Sequence, residues 1–181
     1  MAQRLGALLL LGVALAAASG FVRKAGGAEN KSALAAQKVV RRPVARLACP
    51  IPRTYVRAFK YAAAENRIPL PLLYAVARVE SNLDPTARSG AGATGMLQVL
   101  PSTGTALALD INDPAVNVVA GARYLRSMLN RFNDTDLALA AYNAGPTAVA
   151  AAGEAPNATA VAYVGNVKRV WRDELFAVKA C

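Results

Sequence analysis

Residues 70–82 read Leu70-Pro71-Leu72-Leu73-Tyr74-Ala75-Val76-Ala77-Arg78-Val79-Glu80-Ser81-Asn82. Leu72, Val76 and Glu80 fall at i, i+4 and i+8, one stripe of a 3.6-residue helix, and Leu73 and Ala77 flank it. Pro69 and Pro71 suit the first turn, where a missing N–H costs no intrahelical bond. Glu80 therefore occupies a position where the pattern calls for an apolar side chain. The residue before a proline avoids the α region, so Asp84-Pro85 is expected to end the segment.

Other helical patterns lie on both sides. Upstream, Thr54 is placed to cap a helix reaching about Asn66, with Tyr55, Phe59 and Ala62 on one face. Downstream, residues 88–95 contain three glycines and predict a tight irregular loop. Met96 to Leu109 predicts short helices broken near Pro101, with Met96 and Leu97 in the core. Asp113-Pro114 opens a helix to about Phe132, whose face is Val118, Ala122, Leu125, Leu129 and Phe132. A further helix is expected over about Asp136–Tyr142, with Gly145-Pro146 restarting the chain and Gly153 as a later stop. The last helix is expected over about Thr159–Leu175, with Tyr163, Val167, Val170 and Trp171 inward. No strand pairs are visible. An all-α domain of about seven helices follows, beginning near Pro50.

The beginning of the chain has another character. Arg4 precedes an uncharged apolar run from Leu5 to Ala18, and small residues at 16–20 offer cleavage sites, so residues 1–20 read as an export signal. An uncleaved anchor is the competing reading, although the run is at the short limit for a bilayer core of about 30 Å. Either way the domain is expected outside the cytoplasm, periplasmic or secreted. Residues 21–49 are basic and poor in large apolar groups, which is the composition of a flexible linker. They hold Arg23, Lys24, Lys31, Lys38, Arg41, Arg42 and Arg46 against Glu29 alone, so most of the formal +10 is theirs. A nucleic-acid-binding domain would instead concentrate charge on its folded face, so no nucleic-acid partner is expected. The linker is suited to contact with an anionic envelope or with a secretion machine. The domain is expected as a monomer.

Two cysteines, Cys49 and Cys181, bracket residues 50–180. In an oxidising compartment a disulfide would join the two ends, closing a loop worth about 4–5 kcal/mol in the chain-entropy model. Two unrelated free thiols are the other reading.

The chain has no histidine, which excludes Ser-His-Asp and Cys-His catalysis and any His-bearing zinc site. No strand-following phosphate loop is present. What remains is carboxylate chemistry. A carboxyl on an apolar stripe is partly desolvated, which raises its pKa towards neutrality. Such a group can protonate a leaving oxygen and later take a proton back. On pattern alone, Glu80 could equally be a buried acid paired with Arg78 or Arg88, or a helix-end acid turned to solvent.

The neighbouring motifs bear on this choice. Glu80-Ser81-Asn82-Leu83-Asp84-Pro85, then Ser89-Gly90-Ala91, Thr94-Gly95-Met96-Leu97-Gln98 and Pro101, resemble the signature of the soluble lytic transglycosylases. So do Ala138-Leu139-Ala140-Ala141-Tyr142-Asn143-Ala144-Gly145-Pro146 and, in the last helix, Tyr163-Val164. The resemblance covers roughly residues 54–172. It implies a lysozyme-like helical fold of the goose-type lysozyme and lytic transglycosylase kind, with 50–181 as the catalytic domain. It makes Glu80 the catalytic acid/base and Ser81 a local support. Substrate contacts would come from Ser89, Gln98, Tyr142 and Asn143, and Tyr163 would reach towards Glu80. Two departures stand out. Gly95-Met96-Leu97-Gln98 exchanges the family's common Leu-Met order, a swap of similar volume. Thr159 and Ala160 stand where the family often has Glu-Thr, so a secondary groove carboxylate is missing.

The implied substrate is peptidoglycan, cut at the MurNAc-GlcNAc β-1,4 bond without water to leave 1,6-anhydroMurNAc ends, with no metal or cofactor. A hydrolytic muramidase, or an idle wall-binding or secretion-apparatus protein, are the alternatives. Asp84 is read as a turn residue rather than a nucleophile.

Overall fold

The computed structural model describes residues 48–181. The export signal read at residues 1–20 and the linker up to residue 47 lie outside the described residues. Seven helices follow in order: α1 (Arg53–Glu65), α2 (Leu70–Ser81), α3 (Pro101–Leu107), α4 (Pro114–Phe132), α5 (Thr135–Ala144), α6 (Pro146–Ala152) and α7 (Ala158–Lys179). Among the described residues none is long and apolar enough to cross a membrane.

The central element is α2, in which every residue from Pro71 to Ala77 is buried. It packs on α7, while α4 packs on both α1 and α5. Phe59, Leu72, Leu73, Val76, Leu97, Val118, Leu125, Leu139 and Val167 make the main core. Each such side chain stabilises the fold by about 1.5–3 kcal/mol through lost apolar surface. A smaller cluster of Met128, Ala138, Ala140, Ala141, Val149 and Ala160 lies where α6 meets α5. Alanines fill much of it, so the helices are joined there by small side chains.

Several boundaries differ from the sequence expectation. Thr54 lies inside α1 and caps nothing; extended Pro52 precedes the helix and no side chain bonds its first amides. Asn82 ends α2 in the left-handed conformation, φ 58°, followed by Leu83 at φ 65°, so the chain has turned away before Pro85. Residues 96–99 are not helical. They fold back as a turn with single bridges between Arg88 and Thr94 and between Thr94 and Val99. Met96 and Leu97 are nonetheless fully buried, as the apolar pattern required. The start of α5 at Thr135 agrees with the expected start near Asp136, and Asp134 caps it, its Oδ1 accepting from the Leu137 amide at 2.8 Å. The last helix begins after Asn157 and runs past Leu175 to Lys179, burying Val178. Val170 and Trp171 are only half-buried.

Cys49 and Cys181 are bonded, Sγ to Sγ at 2.04 Å, with their Cα atoms 4.8 Å apart although the residues stand 132 positions apart in the chain. Lys60 Nζ also donates to the Cys181 carbonyl oxygen.

Candidate active site

Glu80 is the penultimate residue of α2, where the buried stripe of Leu72 and Val76 meets a cleft of about 380 Å³. Ser89, Gln98, Tyr142 and Asn143 line the same cleft. Tyr163 lines an adjoining cleft of about 460 Å³, and Asn143 borders both. The sequence reading therefore named six residues that the fold gathers at one place, from α2, the 88–98 loop, α5 and α7.

The Tyr163 hydroxyl donates to Glu80 Oε1 at 2.7 Å. Burial raises the Glu80 pKa to about 7, and the Tyr163 hydrogen bond works in the opposite direction. At neutral pH the group is thus poised between acid and carboxylate. No arginine pairs with it: among the described residues neither Arg78 nor Arg88 forms an ion pair. Burial first, and then the Glu80 charge, push the Tyr163 hydroxyl well above its usual range, so it remains a donor. The same two causes raise Tyr142.

The loop facing Glu80 is held by side chains from three helices. Ser81 Oγ of α2 donates to the Met96 carbonyl at 3.0 Å. Tyr142 OH of α5 donates to the Leu97 carbonyl at 2.7 Å. Asn117 of α4 is wholly buried; its Oδ1 accepts from the Leu97 amide at 3.0 Å, and its Nδ2 donates to Thr94 O at 2.9 Å and Ile111 O at 3.2 Å. Buried amides of this kind are costly unless satisfied, and this one is. Gly95, at φ 74°, packs so closely on Asn117 that a Cβ would stand 2.6 Å from its side chain. A Cβ on Gly121 would lie 2.3 Å from Leu97 Cβ. Both positions require glycine.

The polar groups divide their tasks. Ser89 Oγ accepts from the Ala93 amide at 3.0 Å, which leaves its O–H free to donate. Gln98 Nε2 donates to Ala87 O at 3.2 Å and Gly95 O at 3.0 Å, and no described residue donates to its Oε1. Gln98 itself holds φ 44°, an uncommon value for a residue with a Cβ. Its side-chain nitrogen is therefore committed to the loop, leaving Oε1 for a ligand. Asn143 is exposed and its amide makes no hydrogen bond to a described residue. Asp84 lies outside the cleft, its Oδ1 accepting from Thr86 Oγ1 at 2.7 Å and from the Thr86 amide at 2.8 Å. Those two bonds, the side-chain one first, lower its pKa.

Sequence reasoning missed part of the wall. Tyr124, Thr103 and Leu100 also line the cleft. The Tyr124 ring lies 5.2 Å from that of Tyr142, tilted by 55°. Tyr124 stands next to Leu125 yet off the apolar stripe of α4, and that mismatch was its only signal. Leu100 is 42% exposed, an apolar surface at the cleft edge with no pattern to announce it.

An all-α core carrying one half-sunken carboxyl against a glycine-turned loop defines the lysozyme-like class, and solved structures agree. The chain superposes with a TM-score of 0.60 and 27% identity on an inactive mutant of lytic transglycosylase Slt from Pseudomonas aeruginosa, covering 70% of this chain and 25% of that one. The family model for the transglycosylase SLT domain matches residues 57–164, more than half of the sequence, and the chain belongs to that family. It is 40% identical over 108 residues to membrane-bound lytic murein transglycosylase F 2 of Alkalilimnicola ehrlichii, covering 55% of this chain and 24% of that protein. It is 32% identical over 130 residues to the soluble lytic murein transglycosylase of Escherichia coli, covering 64% and 20%. The match spans about a quarter or less of the length of these relatives.

Proposed function

We propose that this protein is a peptidoglycan lytic transglycosylase acting in the cell envelope, with Glu80 as its single acid/base. The supporting observation is that Glu80, with a pKa of about 7 and a Tyr163 hydrogen bond, is the only carboxylate among the residues lining the two adjoining clefts. Hydrolysis by a carboxylate pair needs a second acid, about 5–5.5 Å away as nucleophile or about 6.5–9.5 Å away as base. Neither cleft offers one.

In this reading, protonated Glu80 donates to the glycosidic oxygen of a MurNAc-GlcNAc bond. The positive charge that develops at C1 is met by the substrate's own N-acetyl oxygen. Glu80, now ionised, accepts the proton of the C6 hydroxyl as that oxygen closes onto C1. The proton balance returns to its start and no water is consumed. The Tyr163 hydroxyl stabilises the ionised intermediate state. Ser89 O–H, Gln98 Oε1 and the Asn143 amide offer hydrogen bonds to sugar hydroxyl and acetamido groups.

Residues 1–20 serve as the export signal in this proposal, and the basic stretch of 21–49 holds the enzyme near the envelope. Digestion of purified wall material tests the chemistry. Fragments about 18 Da lighter than hydrolysed ones, one water short, are expected. Hydrated fragments would identify a muramidase. No release by wild type, with binding retained, would identify an idle wall binder.

A further inference from the structure

The loop that presents Ser89 to the cleft is clamped at its base and lightly held at its tip. Ser81, Asn117 and Tyr142 fix residues 94–97. The tip, residues 88–92, is exposed and closes on itself. The Ser89 amide donates to Ala93 O at 2.9 Å, the Gly92 amide to Ser89 O at 3.0 Å and the Ala93 amide to Ser89 Oγ at 3.0 Å. Among the described residues, one side-chain hydrogen bond ties this tip to another part of the fold: the Arg88 guanidinium donates to Asn112 Oδ1 at 3.3 Å. Asn112 is a firm anchor. Its amide and its Nδ2 each donate to Asp110 Oδ1 at 3.1 Å, which leaves Oδ1 for Arg88. The next residue, Asp113, caps α4 by accepting from the Ala115 and Val116 amides at 2.7 and 3.0 Å. The preceding Ile111 carbonyl accepts from buried Asn117 at 3.2 Å.

We propose that Arg88 and Asn112 form a strap that positions the Ser89 hydroxyl in the cleft, both being positioning residues that touch no substrate. The inference rests on the reading of Ser89 as a glycan contact above. Arg88 and Ser89 are neighbours in the chain that face different hollows. Arg88 lines one of about 510 Å³ behind the loop, together with Thr105, Asp110 and Asn112, and Ser89 lines the cleft that holds Glu80. Successive side chains of a bridged, strand-like segment point to opposite sides. A pull on Arg88 from behind therefore sets where Ser89 stands in front. Arg88 forms no ion pair among the described residues, so the Asn112 bond is what holds its guanidinium. With that bond cut, the hollow behind the tip gives the loop room to withdraw, and the hydroxyl spends part of its time away from the sugar. A hydroxyl that binds the glycan without moving protons then fails in KM and not in kcat.

Asn112 and Arg88 are both exposed, so Asn112→Ala and Arg88→Met are expected to fold normally. On wall glycan each should raise KM about fivefold, the range of one hydrogen bond, with kcat and its pH profile unchanged. The two together should raise KM no further than either alone, because they cut the same bond. In a Ser89→Ala background Asn112→Ala should add nothing to KM, because the strap acts through that hydroxyl. A fall in kcat in place of the KM rise, or an undiminished effect of Asn112→Ala once Ser89 is gone, would overturn the strap while leaving the enzymatic reading intact. Amide hydrogen exchange tests the strap without turnover. Asn112→Ala should speed exchange at Ser89, Gly92 and Ala93 about fivefold and leave the Leu97 amide, which Asn117 holds, as it was. Faster exchange confined to the tip supports the strap even if no glycan is cut. Equal exchange in the two proteins refutes it even if the glycan is cut.

Discussion

The wall of the cleft that carries Glu80 and the wall that faces it are built by different forces. On one side α2 packs on α7, and Leu72, Leu73, Val76 and Val167 are buried together in one apolar core. On the other side the 94–98 turn makes two single bridges and no ladder. It is fixed instead by hydrogen bonds from Ser81, Asn117 and Tyr142, and by two glycines that admit close approach. Apolar packing tolerates volume-conserving exchange. A hydrogen-bonded turn is less forgiving, because each lost partner leaves a buried group unsatisfied. The acid is therefore held in a tolerant wall, and the surface that presents the substrate to it is held in an intolerant one.

Four substitutions would test that contrast, in falling order of effect. Glu80→Gln is expected to lower turnover by about 10²–10⁴-fold, read as fragment release from wall material. The same change should stabilise the domain at pH 8. Glu80 has its folded pKa raised from 4.5 to about 7, so wild-type stability falls as pH rises between those values, because the unfolded chain ionises first. Urea denaturation at pH 4 and pH 8 should show the wild type losing about 2–3 kcal/mol more than the variant between them. Parallel behaviour of the two proteins would mean that the carboxyl is not desolvated.

Asn117→Leu comes next, with an expected loss of about 3 kcal/mol, since the Leu97 amide and two carbonyls are stranded. It should also raise KM, because Gln98 shifts with its turn. Val167→Ala removes buried volume on the opposite wall and should cost about 2 kcal/mol, with KM unaltered. A rise in KM for Val167→Ala, or none for Asn117→Leu, would erase the distinction between the walls. The smallest effect belongs to Tyr163→Phe, a fall in kcat of roughly tenfold from one lost hydrogen bond to a charged group. That bond lowers the Glu80 pKa, so its loss raises it. The alkaline limb of kcat/KM, where the acid loses its proton, should move to higher pH. An unchanged limb would show that Tyr163 does not act on Glu80.

The same contrast governs what the sequence disclosed. Periodicity exposed α2, α4 and the inward face of α7 up to Val167, because apolar packing writes a 3.6-residue stripe. It also exposed Glu80 as an intrusion in such a stripe. The stripe of α7 thins after Trp171, so the helix was cut short and buried Val178 was overlooked. The 96–99 turn writes no period at all. Its clamps come from residues up to 45 positions away, as with Tyr142 and Leu97, and hydrogen bonds of that range leave no local trace. Asn117 was passed over for this reason, and Tyr124 because a lone aromatic beside a stripe looks like surface. Thr54 lies inside α1 and not at its cap, because that helix starts after extended Pro52 with no side chain on its first amides. Motif resemblance supplied the remaining site residues, and the fold then showed that Gln98 spends its nitrogen on its own loop.

The bond between Cys49 and Cys181 has a mechanical meaning. It brings the points where the chain enters and leaves the domain to one spot, with Cα atoms 4.8 Å apart. That spot lies at the far end of α7 from Tyr163, roughly 25 Å along the axis at about 1.5 Å per residue. The covalent link therefore ties the first and last described segments of the domain together, so that neither can peel away from the helices alone.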